Sequence, residues 1–202
     1  MFEKLRKRLP GKEVKRQKLA ALMMLVGSGL GLLASFVLSI ESLTLAKNSH
    51  AVLNCDLNAA MSCSTVANHW SAALLGFPNS FIGMMMLPVI VTIAVALLAG
   101  AKFPKWFMQA AQLGAVAGLL FAGWMFYMSY VEIGALCPWC LTLDAGMLLI
   151  FYGLTRHNVL NKIIEHRGLR RFVDQGYDTL VLASVAALII MAILAKFGSQ
   201  IV

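Results

Sequence analysis

Five uncharged runs constrain this chain more than any other feature: Leu19 to Ile40, Ser80 to Ala101, Trp106 to Val131, Cys137 to Thr155 with Asp144 as its one interruption, and Thr179 to Ala195. A hydrocarbon core of roughly 30 Å is crossed by about 17 to 25 apolar helical residues, and the five runs, 17 to 26 residues long, are each sufficient to span it. The expected fold is therefore an all-α integral membrane protein. Composition agrees, with 60% hydrophobic and 13% charged residues and a mean hydropathy of +0.79, too little polar surface for a soluble domain. A basic stretch before the first run could mark a secretory signal, but the run exceeds the usual signal core of roughly 7 to 15 residues.

The formal charge of +8 invites a nucleic-acid reading, which the placement of the charges turns aside. With the amino terminus inside, 15 of the 17 lysines and arginines fall on the cytoplasmic side. Only Lys47 and Lys196 fall outside. That asymmetry is the positive-inside signature, so the basic clusters read as topological signals. The chain divides into a basic cytoplasmic N-terminus (1–18), a four-helix bundle (19–155) that includes an outer loop (41–79), a cytoplasmic loop (156–178), and a fifth helix with a short outer tail (179–202).

Within the outer loop, residues 59–75 space their apolar side chains as a surface helix would, which predicts a lid on the membrane face. Trp70 there reads as an interfacial anchor. Two glycine pairs at four-residue spacing, Gly27 with Gly31 and Gly114 with Gly118, predict close helix approach. Pro88 is expected to kink the second span. The four histidines are expected to be solvated or interfacial.

All four cysteines fall on the outer side, where disulfides persist. In Cys137-Pro138-Trp139-Cys140, the proline suits a first helical turn, leaving Cys137 at the N-cap and Cys140 one turn in. The helix dipole and free amides there stabilise thiolate, the form that attacks disulfides. The pair therefore reads as a redox dithiol, with a structural bridge as its rival. Cys55 and Cys63, eight apart, are ambiguous by spacing alone. Together, an outer dithiol and one fixed at the membrane surface suit electron transfer from a soluble thiol protein. No haem or iron–sulfur spacing is present, leaving a lipid-soluble quinone as the natural acceptor, with Cys140 as the thiolate that meets it.

The motifs Cys55-Asp56, Ser62-Cys63-Ser64, Gly76-Phe77-Pro78-Asn79 and Gly134-Ala135-Leu136-Cys137-Pro138-Trp139-Cys140 together resemble the vitamin K epoxide reductase family, over roughly residues 19–155. The functionally similar DsbB type carries its Cys-x-x-Cys in the first outer loop instead. The resemblance implies a four-helix bundle around a quinone (menaquinone or ubiquinone), a fifth helix beside it, and a place in the bacterial inner membrane. It further implies that Cys55 meets the soluble partner, Cys63 exchanges with Cys137, and Cys140 reduces the quinone. Asn79 matches a family asparagine that hydrogen-bonds the quinone oxygen, with an N-cap role as its rival; Trp139 and Asp144 complete the expected quinone contacts. The partner implied is a separate DsbA-like, thioredoxin-fold protein.

Asp144 stands where animal members carry tyrosine, which puts epoxide activity in doubt. It shares a helix face with Cys140, as a proton relay or as a carboxyl hydrogen-bonded to a neighbouring helix. Two rival functions stay open: a metal-handling membrane protein with one four-cysteine site, and a scaffold with inert disulfides.

Overall fold

A computed structural model describes residues 10–201, so half of the expected basic N-terminus and the last residue of the expected outer tail lie outside the described residues. Five helices are long and apolar enough to cross a membrane: Glu13–Lys47, Ser80–Leu98, Lys105–Ile133, Pro138–Leu160 and Tyr177–Gly198. Each coincides with a run seen in the sequence. The elements in order are α1 (Pro10–Lys47), α2 (Cys63–Ala67), a 3-10 turn (Trp70–Ala73), α3 (Ser80–Leu98), α4 (Lys105–Tyr127) prolonged by a π-turn (Met128–Ile133), α5 (Pro138–Leu160), α6 (Arg167–Gln175) and α7 (Tyr177–Ile201). No β-strand occurs among the described residues. The molecule is an all-α, multi-pass membrane protein.

Helix α1 is the centre of the bundle, packing against α5 and α3, while α4 packs against α5. The shared core holds Met24, Leu87, Ile93, Met108, Ile150 and Leu154. Contact between α1 and α5 is a backbone approach. A Cβ at Gly27 would lie 2.6 Å from the Gly146 carbonyl oxygen, and one at Gly146 would lie 2.6 Å from that of Gly27. Only glycine fits at such a crossing. Thus one expected glycine pair brings helices together, through a partner on α5 that the spacing rule did not point to. The other pair does not: Gly114 faces open space and Gly118 meets only the Met147 side chain. Helix α3 continues through Pro88.

The expected 59–75 lid helix is broken in two. Ser62 accepts the Thr65 N–H and so starts α2, which ends at Asn68; His69 then accepts the Ser71 N–H and starts the 3-10 turn. Each side-chain cap opens its own short helix, and two caps this close leave no continuous one. Trp70 is exposed and rests on Trp124 of α4.

At the basic end, Arg16 pairs with Asp174 at 2.9 Å, Lys105 with Glu165 at 2.7 Å, and Arg156 with Asp178 at 2.9 Å. The first holds α6, an amphipathic helix inside what the sequence reads as a loop, and the third holds the start of α7. Two residues depart from expectation here. Arg156 and His157 are buried within α5, because that helix runs to Leu160 and packs against α1 and α6.

Candidate functional site

The fourth span begins as the sequence predicts. Cys137 is the N-cap of α5, Pro138 opens the first turn, and the Cys137 sulfur accepts the Cys140 N–H at 3.3 Å. Just before it, Gly134 takes a left-handed conformation (φ 70°) that ends the π-turn of α4, a conformation glycine adopts at little cost. The chain then runs extended past the outer loop, where Leu136 donates to the Ala60 carbonyl (2.8 Å) and accepts from the Ser62 N–H (2.9 Å). This two-bond bridge joins the residues just before Cys137 and Cys63, bringing the two sulfurs together.

Cys55 and Cys63 form a disulfide, while Cys137 and Cys140 are free thiols. The Cys137 sulfur lies 3.2 Å from that of Cys63. Both residues are 1% exposed, and Cys55 is 6% exposed. Three of the four expected site cysteines therefore meet in one dry cluster, from which bulk water is excluded.

Asp56 fixes the loop around them. Its carboxylate accepts the Leu53 N–H (2.8 Å), the Ser64 N–H (2.9 Å) and the Ser62 hydroxyl (2.8 Å). Partial burial pushes this carboxyl up, but the hydrogen bonds from Ser64, Leu53 and Ser62 outweigh it and hold the group below the usual carboxylate range. The Cys137 thiol is likewise held below its ordinary value. A hydrogen bond from the Cys140 side chain is the largest cause, joined by the Cys140 and Trp139 amides, and together they overcome burial and the field of Glu41. Cys137 is thus the better nucleophile of the helix pair.

Glu41, on the outer end of α1, was given no role by sequence reasoning. It is 8% exposed, and its Oε1 lies 2.9 Å from the Cys55 sulfur. The available signal was its position as the first ionisable residue after an apolar run, 14 positions before Cys55.

Below the cysteines a cavity of about 600 Å³ opens among α1, α3, α4 and α5. Its wall is apolar, with Leu87, Ile90, Phe121 and Met147 among the lining residues; Cys63, Cys137, Cys140, Asn79 and Asp144 are its polar members. Asn79 stands at the N-cap position of α3 but makes no capping bond. Its side chain instead donates to the Ser71 carbonyl (2.6 Å) and accepts the Leu74 N–H (3.1 Å), fastening the lid over the cavity. Asp144 makes no hydrogen bond to a neighbouring helix among the described residues and borders the cavity. Trp139 is not among the residues of the cavity wall; it packs against the outer cluster that contains Cys55, Cys63 and Cys137.

For a tetrathiolate metal site, two of the four sulfurs are already joined to each other. Among the described residues, the donor atoms of Glu41, Cys55 and Cys63 lie within 4.8 Å of one another.

A reactive thiol held against a disulfide, on a bundle of apolar helices, defines a membrane thiol–disulfide oxidoreductase. The chain belongs to the vitamin K epoxide reductase family, whose pattern matches residues 22–155. Proteins of this family use quinones and work with thioredoxin-like partners. A search of curated proteins returns no match.

Proposed function

We propose that the protein reoxidises a thioredoxin-fold, DsbA-like partner outside the bacterial inner membrane and delivers the electrons to a membrane quinone, thereby supporting disulfide formation. The observation that carries this reading is the 3.2 Å contact between the Cys137 thiol and Cys63 of the loop disulfide, directly above the cavity lined by Cys140. The charge asymmetry supports an outward-facing cysteine end.

The steps are thiol exchanges. A partner thiolate attacks Cys55, releasing Cys63, and the partner's second thiol completes reduction of the loop pair. Cys63 then attacks Cys137 of the helix-pair disulfide and frees Cys140. Cys55 closes on Cys63 and releases Cys137, which gives the pattern of one disulfide and two thiols described above. Cys137 and Cys140 finally close on each other as two electrons leave through Cys140.

A cavity of about 600 Å³ with an apolar wall and a few polar groups suits a quinone ring and the start of its tail. Bound there, a quinone accepts two electrons and two protons. Asn79 would hold a ring oxygen, and Asp144 would supply protons from the face it shares with Cys140. Trp139 would act on the cavity only through the cysteines beside it.

The test is turnover by the purified protein with dithiothreitol as donor and a short-chain ubiquinone as acceptor. Wild-type protein should reduce the quinone, and Cys140→Ser, folded as judged by an unchanged helical circular dichroism spectrum, should not. Quinone reduction at the wild-type rate by Cys140→Ser would overturn the relay. The strong oxidising potential of DsbA-type couples, about −120 mV, favours this direction of flow, because such a couple needs a strong sink.

A further inference from the structure

We infer that the Glu41 carboxyl is the proton donor and acceptor for the Cys55 sulfur, a catalytic group of the exchange rather than a structural one. This rests on the relay reading above.

The contact of 2.9 Å joins Glu41 Oε1 to a sulfur that is already in a disulfide. A disulfide sulfur carries no hydrogen, so the hydrogen in this contact belongs to the carboxyl. The other oxygen, Oε2, is buried and has no hydrogen-bond partner, and Glu41 forms no ion pair among the described residues. A buried carboxyl kept for structure has its oxygens satisfied, since leaving one orphaned costs stability. This one is aimed at a single reacting atom.

The neighbouring carboxyl cannot serve Cys55 in the same way. Asp56, the next residue, spends both oxygens on Leu53, Ser62 and Ser64. The ionisable groups whose fields meet that of Glu41 are Asp56, Cys137 and Cys140. None is a cation, so among the described residues no partner holds Glu41 permanently ionised.

In the closing step the Cys55 thiol gives its proton to the Glu41 carboxylate as its sulfur attacks Cys63 of the Cys63–Cys137 disulfide. The Cys55–Cys63 bond forms, the Cys63–Cys137 bond breaks, and the electron pair departs on Cys137, where the Cys140 side chain and the α5 amides receive it. The proton remains on Glu41. No net oxidation occurs. The structure has the arrangement of that product: loop disulfide closed, carboxyl hydrogen against the Cys55 sulfur, and Cys137 released beside Cys63.

The test compares wild type, Glu41→Gln and Glu41→Asp in the dithiothreitol–ubiquinone assay as a function of pH. Samples are acid-quenched during turnover and mapped for disulfides. Glu41→Gln should slow turnover about tenfold or more near neutrality and accumulate the Cys63–Cys137 linkage. It should recover as pH rises into the alkaline range, where hydroxide replaces the missing base. Glu41→Asp should retain part of the rate. A Glu41→Gln rate equal to wild type, or a loss of the same size at every pH, overturns the inference while leaving the relay intact. Failure of wild type itself to reduce quinone removes the relay, and this inference with it.

Discussion

Cys137 is the residue on which the chemistry turns, and its reactivity has a local cause that can be removed. Its thiol is held below the ordinary value of 9.0, first by the Cys140 side chain and then by the α5 amides. A lowered thiol value means that thiolate is present above it and lost as pH falls through it. The rate of iodoacetamide labelling at Cys137 should therefore reach half its plateau below pH 9.0. In Cys140→Ala, that midpoint should move up. An unmoved midpoint would mean that the Cys140 side chain does not set it. Asp144 makes a second residue-scale prediction: Asp144→Asn should slow quinone reduction and steepen its dependence on pH, whereas wild-type turnover across neutral pH would leave no relay role.

At the scale of elements, two kinds of contact hold the site in place, and their costs differ. The α1–α5 crossing at Gly27 and Gly146 leaves no room for a side chain. Gly146→Leu should destabilise by about 1–3 kcal/mol or more, the range for overpacking that forces the backbone to shift, and lower the thermal midpoint of the purified protein. At the basic end, Arg156 and Asp178 are about one-tenth exposed (10% and 11%), whereas Lys105 and Glu165 are 62% and 68% exposed. Breaking the first pair strands a buried charge, at about 3–5 kcal/mol; breaking the second costs about 0–1 kcal/mol. Arg156→Ala should thus loosen α7 in limited proteolysis, and Lys105→Ala should not. The loop has its own fastening. Asp56→Ala should speed amide exchange at Leu53 and Ser64 by about tenfold to a hundredfold, since each loses a bond to a charged acceptor.

For the whole molecule, what could be read from the sequence follows from how local each cause is. Span lengths and the Cys137 N-cap are set by consecutive residues, so five helices and a thiol at a helix start are legible in the sequence itself. The break in the lid was not, because the caps at Ser62 and His69 compete with an apolar spacing that reads as one helix. Glu41 was missed because its contact with Cys55 joins the end of α1 to the loop 14 positions later, and Gly146 because its partner is on another span. The bridge from Leu136 to Ala60 and Ser62 is equally nonlocal, yet it sets the one distance on which the relay depends.

That distance can be tested by chemistry in Cys55→Ser protein, in which Cys63 has no loop partner. Membranes from cells making this variant are acid-quenched, alkylated and digested without reduction, and the disulfide-linked peptides are identified by mass. The account predicts a peptide pair joined through Cys63 and Cys137, absent when Cys137 is also replaced. Free Cys63 beside an intact Cys137–Cys140 disulfide in every sample would contradict it.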